Sequence, residues 1–145
     1  MPDILLADTI LHGYPPTVLR RIKDQRLVIV EDNDSIRNSL NDYFSEQNQV
    51  IAFASAEEAL AAESTLGEVH VFIIDYKLPE MNGAELFARV RGNFPQAKFI
   101  LITGEMNYEV AENNRQLGWD ALILKPFDFG ILEDNISVLV AAPAA

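Results

Sequence analysis

From residue 27 onward, short apolar runs alternate with segments of helical period. The runs at 27–31, 49–54, 69–74, 97–102 and 121–124 predict five strands. Several are apolar at consecutive positions, the pattern expected where both faces of a sheet are covered. Between them, Ile36, Leu40, Tyr43 and Phe44 recur at helical spacing, and Ser55 with Glu58 makes a capping-box signature ahead of Ala59 and Leu60. Leu86, Phe87 and Val90 predict a third helix and Val110 and Leu117 a fourth. Ile131, Leu132, Ile136, Leu139 and Val140 predict a fifth, with Asp128 placed to cap it. Strict alternation of strand and helix predicts an α/β fold, a doubly wound five-stranded parallel sheet with right-handed crossovers and helices on both faces. A chain of 145 residues fits one such domain.

Residues 1–26 stand outside this pattern, so the expected organisation is an N-terminal arm at 1–26 and a domain at 27–145. The arm carries Ile4-Leu5-Leu6, the break Gly13-Tyr14-Pro15-Pro16 and the basic stretch Arg20-Arg21-Ile22-Lys23. It reads as an irregular segment whose apolar residues dock on the domain; a homodimerisation arm is the alternative. Ile4 to Asp8 imitates a strand ending in an acid, but no second acid adjoins Asp8, and Val30-Glu31-Asp32 is the better fit to a first strand. The alanine-rich end, Ala141 to Ala145, reads as a tail or the beginning of a linker.

The net charge is −11, and residues 27–145 alone carry 7 basic against 19 acidic side chains. Such a field repels phosphate backbones and argues against direct nucleic-acid binding, although acidity also simply keeps a surface soluble. The chain has no cysteine, which removes disulfides, thiolate chemistry and cysteine zinc sites. The apolar runs are too short to insert in a membrane. Asp3 and Asp8 interrupt the first apolar residues, so no secretory leader is expected and a cytoplasmic location is.

Chemistry gathers at the strand ends. Glu31 and Asp32 close the first predicted strand, Asp75 the third, Thr103 the fourth and Lys125 the fifth. In doubly wound folds the site lies outside the carboxyl ends of the strands, so all five converge on one pocket. Three carboxylates in a dry cleft repel one another unless a cation or shared protons relieve them. Hard oxygen ligands favour Mg²⁺, which keeps several waters and shares its sites with phosphate. Lys125 and the Thr103 hydroxyl are suited to phosphoryl oxygens, and the set suits phosphoryl transfer to a carboxylate. Taken singly, Asp75 is also an ordinary turn residue, and Glu31 and Asp32 are ordinary capping acids.

At these residues the chain resembles the receiver domains of bacterial two-component response regulators. The matching stretches are Val28-Ile29-Val30-Glu31-Asp32-Asn33-Asp34, Ile73 through Gly83, Ile102-Thr103-Gly104 and Lys125-Pro126-Phe127. The spacings, 43 residues from Asp32 to Asp75, 28 on to Thr103 and 22 on to Lys125, are similar to the family's. The resemblance implies a flavodoxin-like strand order 2-1-3-4-5. It implies that Asp75 accepts a phosphoryl group from a sensor histidine kinase or a histidine phosphotransfer protein. Glu31, Asp32, Asp75 and the backbone carbonyl of Lys77 would hold Mg²⁺. Lys125 would pair with the acceptor, and Thr103 would reorient toward the phosphoryl oxygen. Phosphorylation and dephosphorylation would be catalysed by the receiver itself, and a downstream protein would read the result on the face of the fourth helix, fifth strand and fifth helix. Pro126 would suit a cis peptide.

Where receivers commonly carry Phe or Tyr three residues before the lysine, this chain has Leu122. Trp119 and Tyr108 are the nearby aromatics, with packing and exposed-helix roles favoured over switching for them. Lys125-Pro126-Phe127-Asp128-Phe129 resembles the start of a signature of stand-alone receivers, although Gly130-Ile131-Leu132-Glu133 does not continue it. Lys77 and Glu105 flank the phosphoryl position and are expected to modulate dephosphorylation. His12, in the arm, and His70, within an apolar strand, are poor phosphocarriers. The alternatives are a phosphorelay intermediate, a phosphate sink, and the receiver piece of a longer kinase or regulator. A haloacid-dehalogenase-like phosphatase is a further rival, but that family wants an acid where Lys77 stands.

Overall fold

The computed structural model describes residues 5–6, 21–105 and 108–141, with backbone only for Leu5, Leu6 and Tyr108. A two-residue strand, β1 (Leu5–Leu6), comes first, followed by β2 (Arg26–Val30), α1 (Asp34–Ser45), β3 (Gln49–Phe53) and α2 (Ala56–Ala62). Then come β4 (Val71–Asp75), α3 (Gly83–Val90), β5 (Lys98–Thr103), α4 (Tyr108–Leu117), β6 (Ala121–Leu124) and α5 (Phe129–Ala141). All pairs are parallel, in the order β1-β6-β5-β4-β2-β3. Counting only the five strands expected from residue 27 onward, this is the order 2-1-3-4-5. The sixth strand is the arm's Leu5–Leu6, in register with Ala121 and Leu122. Two-residue pairing leaves no period for a sequence pattern to reveal.

Alternate residues of each strand divide the core into two layers, as the period of two requires. On one face Val28, Val30, Phe72, Ile74, Phe99, Leu101 and Leu122 pack with Ala56 and Ala59 of α2, Leu86 and Phe87 of α3, and Trp119. On the other, Leu27, Ile29, Ile73, Ile100, Ile102 and Ile123 meet Leu40 and Phe44 of α1 and Leu132, Ile136 and Leu139 of α5. Ile22 joins this second layer, so the packed unit takes in chain ahead of β2.

Local signals set the helix starts. Asn33 caps α1 by accepting from the Ile36 amide, and Ser55 caps α2 by accepting from the Glu58 amide. Asn82 and Glu85 form a full capping box on α3. Asp128 Oδ1 accepts from the Gly130 and Ile131 amides, the cap expected for α5. His70 lies just ahead of β4 rather than within it, its ring Nδ1 accepting from the Arg26 amide at 2.8 Å. His12 lies outside the described residues.

Candidate functional site

The carboxyl ends of β2, β4, β5 and β6 carry Glu31, Asp75, Thr103 and Lys125 to one end of the sheet. Asp75 is the last residue of β4 and is only 4% exposed. Its chain then turns sharply: the Tyr76 carbonyl accepts from the Gly83 amide at 2.8 Å. Gly83 is required there, because a Cβ would overlap the Asp75 carbonyl oxygen and crowd Ile74 Cγ2. Met81 N donates to Glu57 Oε2 at 3.1 Å, tying the same loop to α2.

Lys125 Nζ sits 2.8 Å from Asp75 Oδ2 and 2.9 Å from Glu31 Oε1. The other Asp75 oxygen, Oδ1, accepts from the Lys77 amide at 3.2 Å, and Glu31 Oε2 accepts from the Asn33 amide at 3.1 Å. Oxygens of Glu31, Asp32 and Asp75 lie within 4.8 Å of one another. Burial pushes the Glu31 carboxyl up to about 7 and the Asp75 charge adds to this, against the Lys125 ammonium and the Asn33 amide. Burial pulls Lys125 down, but its bonds to Asp75 and Glu31 outweigh that and hold it above the ordinary lysine value.

Glu31 Oε1 is a buried oxygen with no hydrogen bond beyond its ion pair with the Lys125 ammonium. With one lysine for three carboxylates, this all-oxygen set fits a hard divalent cation. The exposed Asp32 can add its side chain without desolvation of a third buried acid beside Glu31 and Asp75.

Thr103 ends β5 at 4% exposure. Its hydroxyl accepts from the Glu105 amide at 3.1 Å and meets the Glu105 carbonyl at 3.2 Å, so it is engaged with its own loop. Lys125 N donates to the Thr103 carbonyl at 2.8 Å, locking the ends of β5 and β6 together, and the Lys125–Pro126 peptide is cis. Lys77 Nζ and Glu105 Oε1 are 3.8 Å apart and well exposed, linking the loops after β4 and β5.

Two contributors were not visible as candidates in the sequence. Arg37, one turn into α1, donates to the Glu31 carbonyl at 2.9 Å and the Asp32 carbonyl at 3.4 Å, and pairs with Asp34. It braces the backbone that carries both acids. Gly83 is the other; it lay inside a matched stretch without an assigned role. Leu122 is 1% exposed and packed in the core, and Trp119 is 3% exposed and stacked on Phe87 at 4.2 Å, which is the packing role. The Tyr108 side chain lies outside the described residues.

This arrangement of fold and strand-end chemistry is that of a receiver. The family model for the response regulator receiver domain matches residues 27–137, and the chain belongs to that family of phosphorylation-controlled signalling domains. It is 31% identical over 118 residues to the two-component response regulator PhoP of Pseudomonas aeruginosa, a match covering 79% of this chain and 51% of that protein. It is 26% identical over 119 residues to the chemotaxis protein CheY1 of Helicobacter pylori, covering 79% of this chain and 96% of that one. The chain thus spans about half the length of the first of these relatives and nearly all of the second. A CheY-like receiver domain protein from Methanospirillum hungatei superposes with a TM-score of 0.75 at 29% identity, covering 82% of this chain and 95% of that one. The BeF3-activated DrrB receiver domain matches the fold at a TM-score of 0.75 and 23% identity, covering 82% of this chain and 99% of that one. These matches favour the receiver over the phosphatase reading. Among the described residues no helix is long and apolar enough to cross a membrane.

Proposed function

We propose that Asp75 is the phosphoacceptor of a cytoplasmic receiver that takes its phosphoryl group from the phosphohistidine of a sensor histidine kinase or a histidine phosphotransfer protein. The observation that carries this is the buried Asp75 carboxylate held at 2.8 Å by Lys125 with Glu31 and Asp32 beside it. A carboxylate oxygen of Asp75 attacks phosphorus, the P–N bond breaks and a P–O bond forms, and the imidazole leaves. Glu31, Asp32, Asp75 and the Lys77 carbonyl would hold Mg²⁺, which when bound would supply positive charge against the transferred group. Lys125, freed from one carboxylate oxygen, stays paired with the phosphoryl group. Thr103 leaves its Glu105 partners to donate its hydroxyl to a phosphoryl oxygen. The Lys77–Glu105 pair flanks the product and governs access of water to it.

The altered surface would then bind a downstream protein; no nucleic acid or membrane contact is part of the reading. The test is intact mass after incubation with Mg²⁺ and acetyl phosphate. Wild type gains one phosphoryl group and Asp75→Asn gains none; equal labelling of both would overturn the assignment.

A further inference from the structure

We propose that the outer edge of β6 is a strand-accepting surface, occupied by the Leu5–Leu6 segment of this chain in the resting state and vacated when Asp75 carries a phosphoryl group. The second half rests on the function proposed above; the first does not.

The occupant is on the sheet: Leu5 pairs with Ala121 and Leu6 with Leu122 in parallel register. The segment lies outside residues 27–137, the part matched to the receiver family. An uncovered strand edge is a template for another extended chain, and covering it is one way such edges are controlled. The ladder covers only half of β6, which runs from Ala121 to Leu124, and Leu124 is 46% exposed. A ladder this short is easily exchanged.

The strand under β1 is also the strand attached to the site. Thr103 is in register with Leu124, and Lys125 N donates to the Thr103 carbonyl at 2.8 Å. The two groups that would meet the phosphoryl group therefore sit at the end of β6 and on its inner neighbour. Leu122 carries no ring to swing between core and surface, so movement at Thr103 and Lys125 reaches the exterior through the β6 backbone and the strand laid on it.

The far end of the segment is moored independently. Ile22 N donates to Glu133 Oε2 at 2.8 Å, and Tyr43 OH donates to Oε1 at 2.8 Å. Glu133 is a buried carboxylate of α5, and the Arg21 guanidinium lies over the Tyr43 ring at 5.5 Å. A released Leu5–Leu6 strand stays tethered beside the edge it left and returns readily on dephosphorylation.

Backbone amides alternate sides along a strand, and the Lys125 amide points inward to Thr103, so the Leu122 amide faces β1 and the Ile123 amide faces β5. Residue-resolved hydrogen exchange on the 145-residue chain reads both. The Leu5→Pro/Leu6→Pro variant keeps the Leu5 carbonyl that the Leu122 amide meets, but it loses the Leu5 amide donor and fixes φ at about −65° rather than the ~−120° of a parallel strand. It should exchange at Leu122 about tenfold faster than wild type, with Ile123 unchanged. Equal Leu122 rates in the two proteins would overturn the docked strand. Mg²⁺ with beryllofluoride should raise the wild-type Leu122 rate to that of the proline variant, leaving that variant and Asp75→Asn where they were. If acetyl phosphate labels Asp75 by mass yet Leu122 stays protected under beryllofluoride, release is wrong while the proposed function stands. If Asp75 takes no phosphoryl group, the proposed function and the release both fail, and the docked strand is judged by the proline variant alone.

Discussion

Lys125→Met removes the one cation that holds two buried carboxylates. At 2.8 and 2.9 Å the two attractions are each ~6 kcal/mol gross at an effective dielectric of 20, most of it offset by desolvation of the partners. Removing one member of a buried ionic cluster typically costs ~3–5 kcal/mol. The cost here is smaller, because Glu31 can escape by taking up a proton. Its carboxyl already titrates near 7 with the lysine present, so without it Glu31 is protonated over most of the neutral range.

Stability associated with protonated Glu31 is fully present below its ordinary 4.5 and is lost as pH rises through about 7. At pH 5.5 the Glu31 pair contributes little in either protein, and only the Asp75 pair is lost. We expect Lys125→Met to destabilise by about 1 kcal/mol at pH 5.5 and about 2 kcal/mol at pH 8 without divalent cation. Added Mg²⁺ should recover most of the pH 8 loss. Urea unfolding followed by fluorescence of the buried Trp119 measures this, with Glu31→Gln as the partner variant in a double-mutant cycle. A loss independent of pH, or one unchanged in the Glu31→Gln background, would refute the reasoning.

Three further outcomes follow from the geometry. Gly83→Ala should destabilise by about 2 kcal/mol, because the added methyl meets the Asp75 carbonyl, which is backbone and cannot rotate away; thermal unfolding reads it, and a neutral result would show that the loop after β4 yields. Arg37→Ala should weaken Mg²⁺ affinity roughly tenfold through loss of the brace on the Glu31 and Asp32 carbonyls. Cation titration beside urea unfolding separates that loss from general instability. Lys77→Ala should change the lifetime of phosphorylated Asp75 while leaving stability within about 0.5 kcal/mol, since the Lys77–Glu105 pair is exposed; an unchanged lifetime rejects the gating role.

Much of this protein was legible from local pattern. Strand candidates ended within a few residues of the observed strands because the burial period and the breaker residues are local properties. Ser55 and Asp128, the caps expected from the sequence, start helices through hydrogen bonds that span only two or three residues. Asp75, Glu31, Thr103 and Lys125 were found because a doubly wound sheet delivers its strand ends to one place. Their roles as phosphoacceptor and helpers await the labelling experiment.

What the chain order alone determined was therefore the alternation of strand and helix and the chemical kinds of group at the carboxyl edge. Only the folded structure decided that Lys125 contacts both Glu31 and Asp75, that burial lifts Glu31 to about 7, and that Arg37 braces the acids from the first turns of α1. It alone placed Trp119 against Phe87 and Leu5–Leu6 beside β6. The physical reason is distance along the chain. Periodicity and caps act within a few residues, whereas desolvation, charge pairing and edge-strand pairing depend on partners as far apart in the chain as Leu5 and Ala121, which meet only when the sheet closes its order.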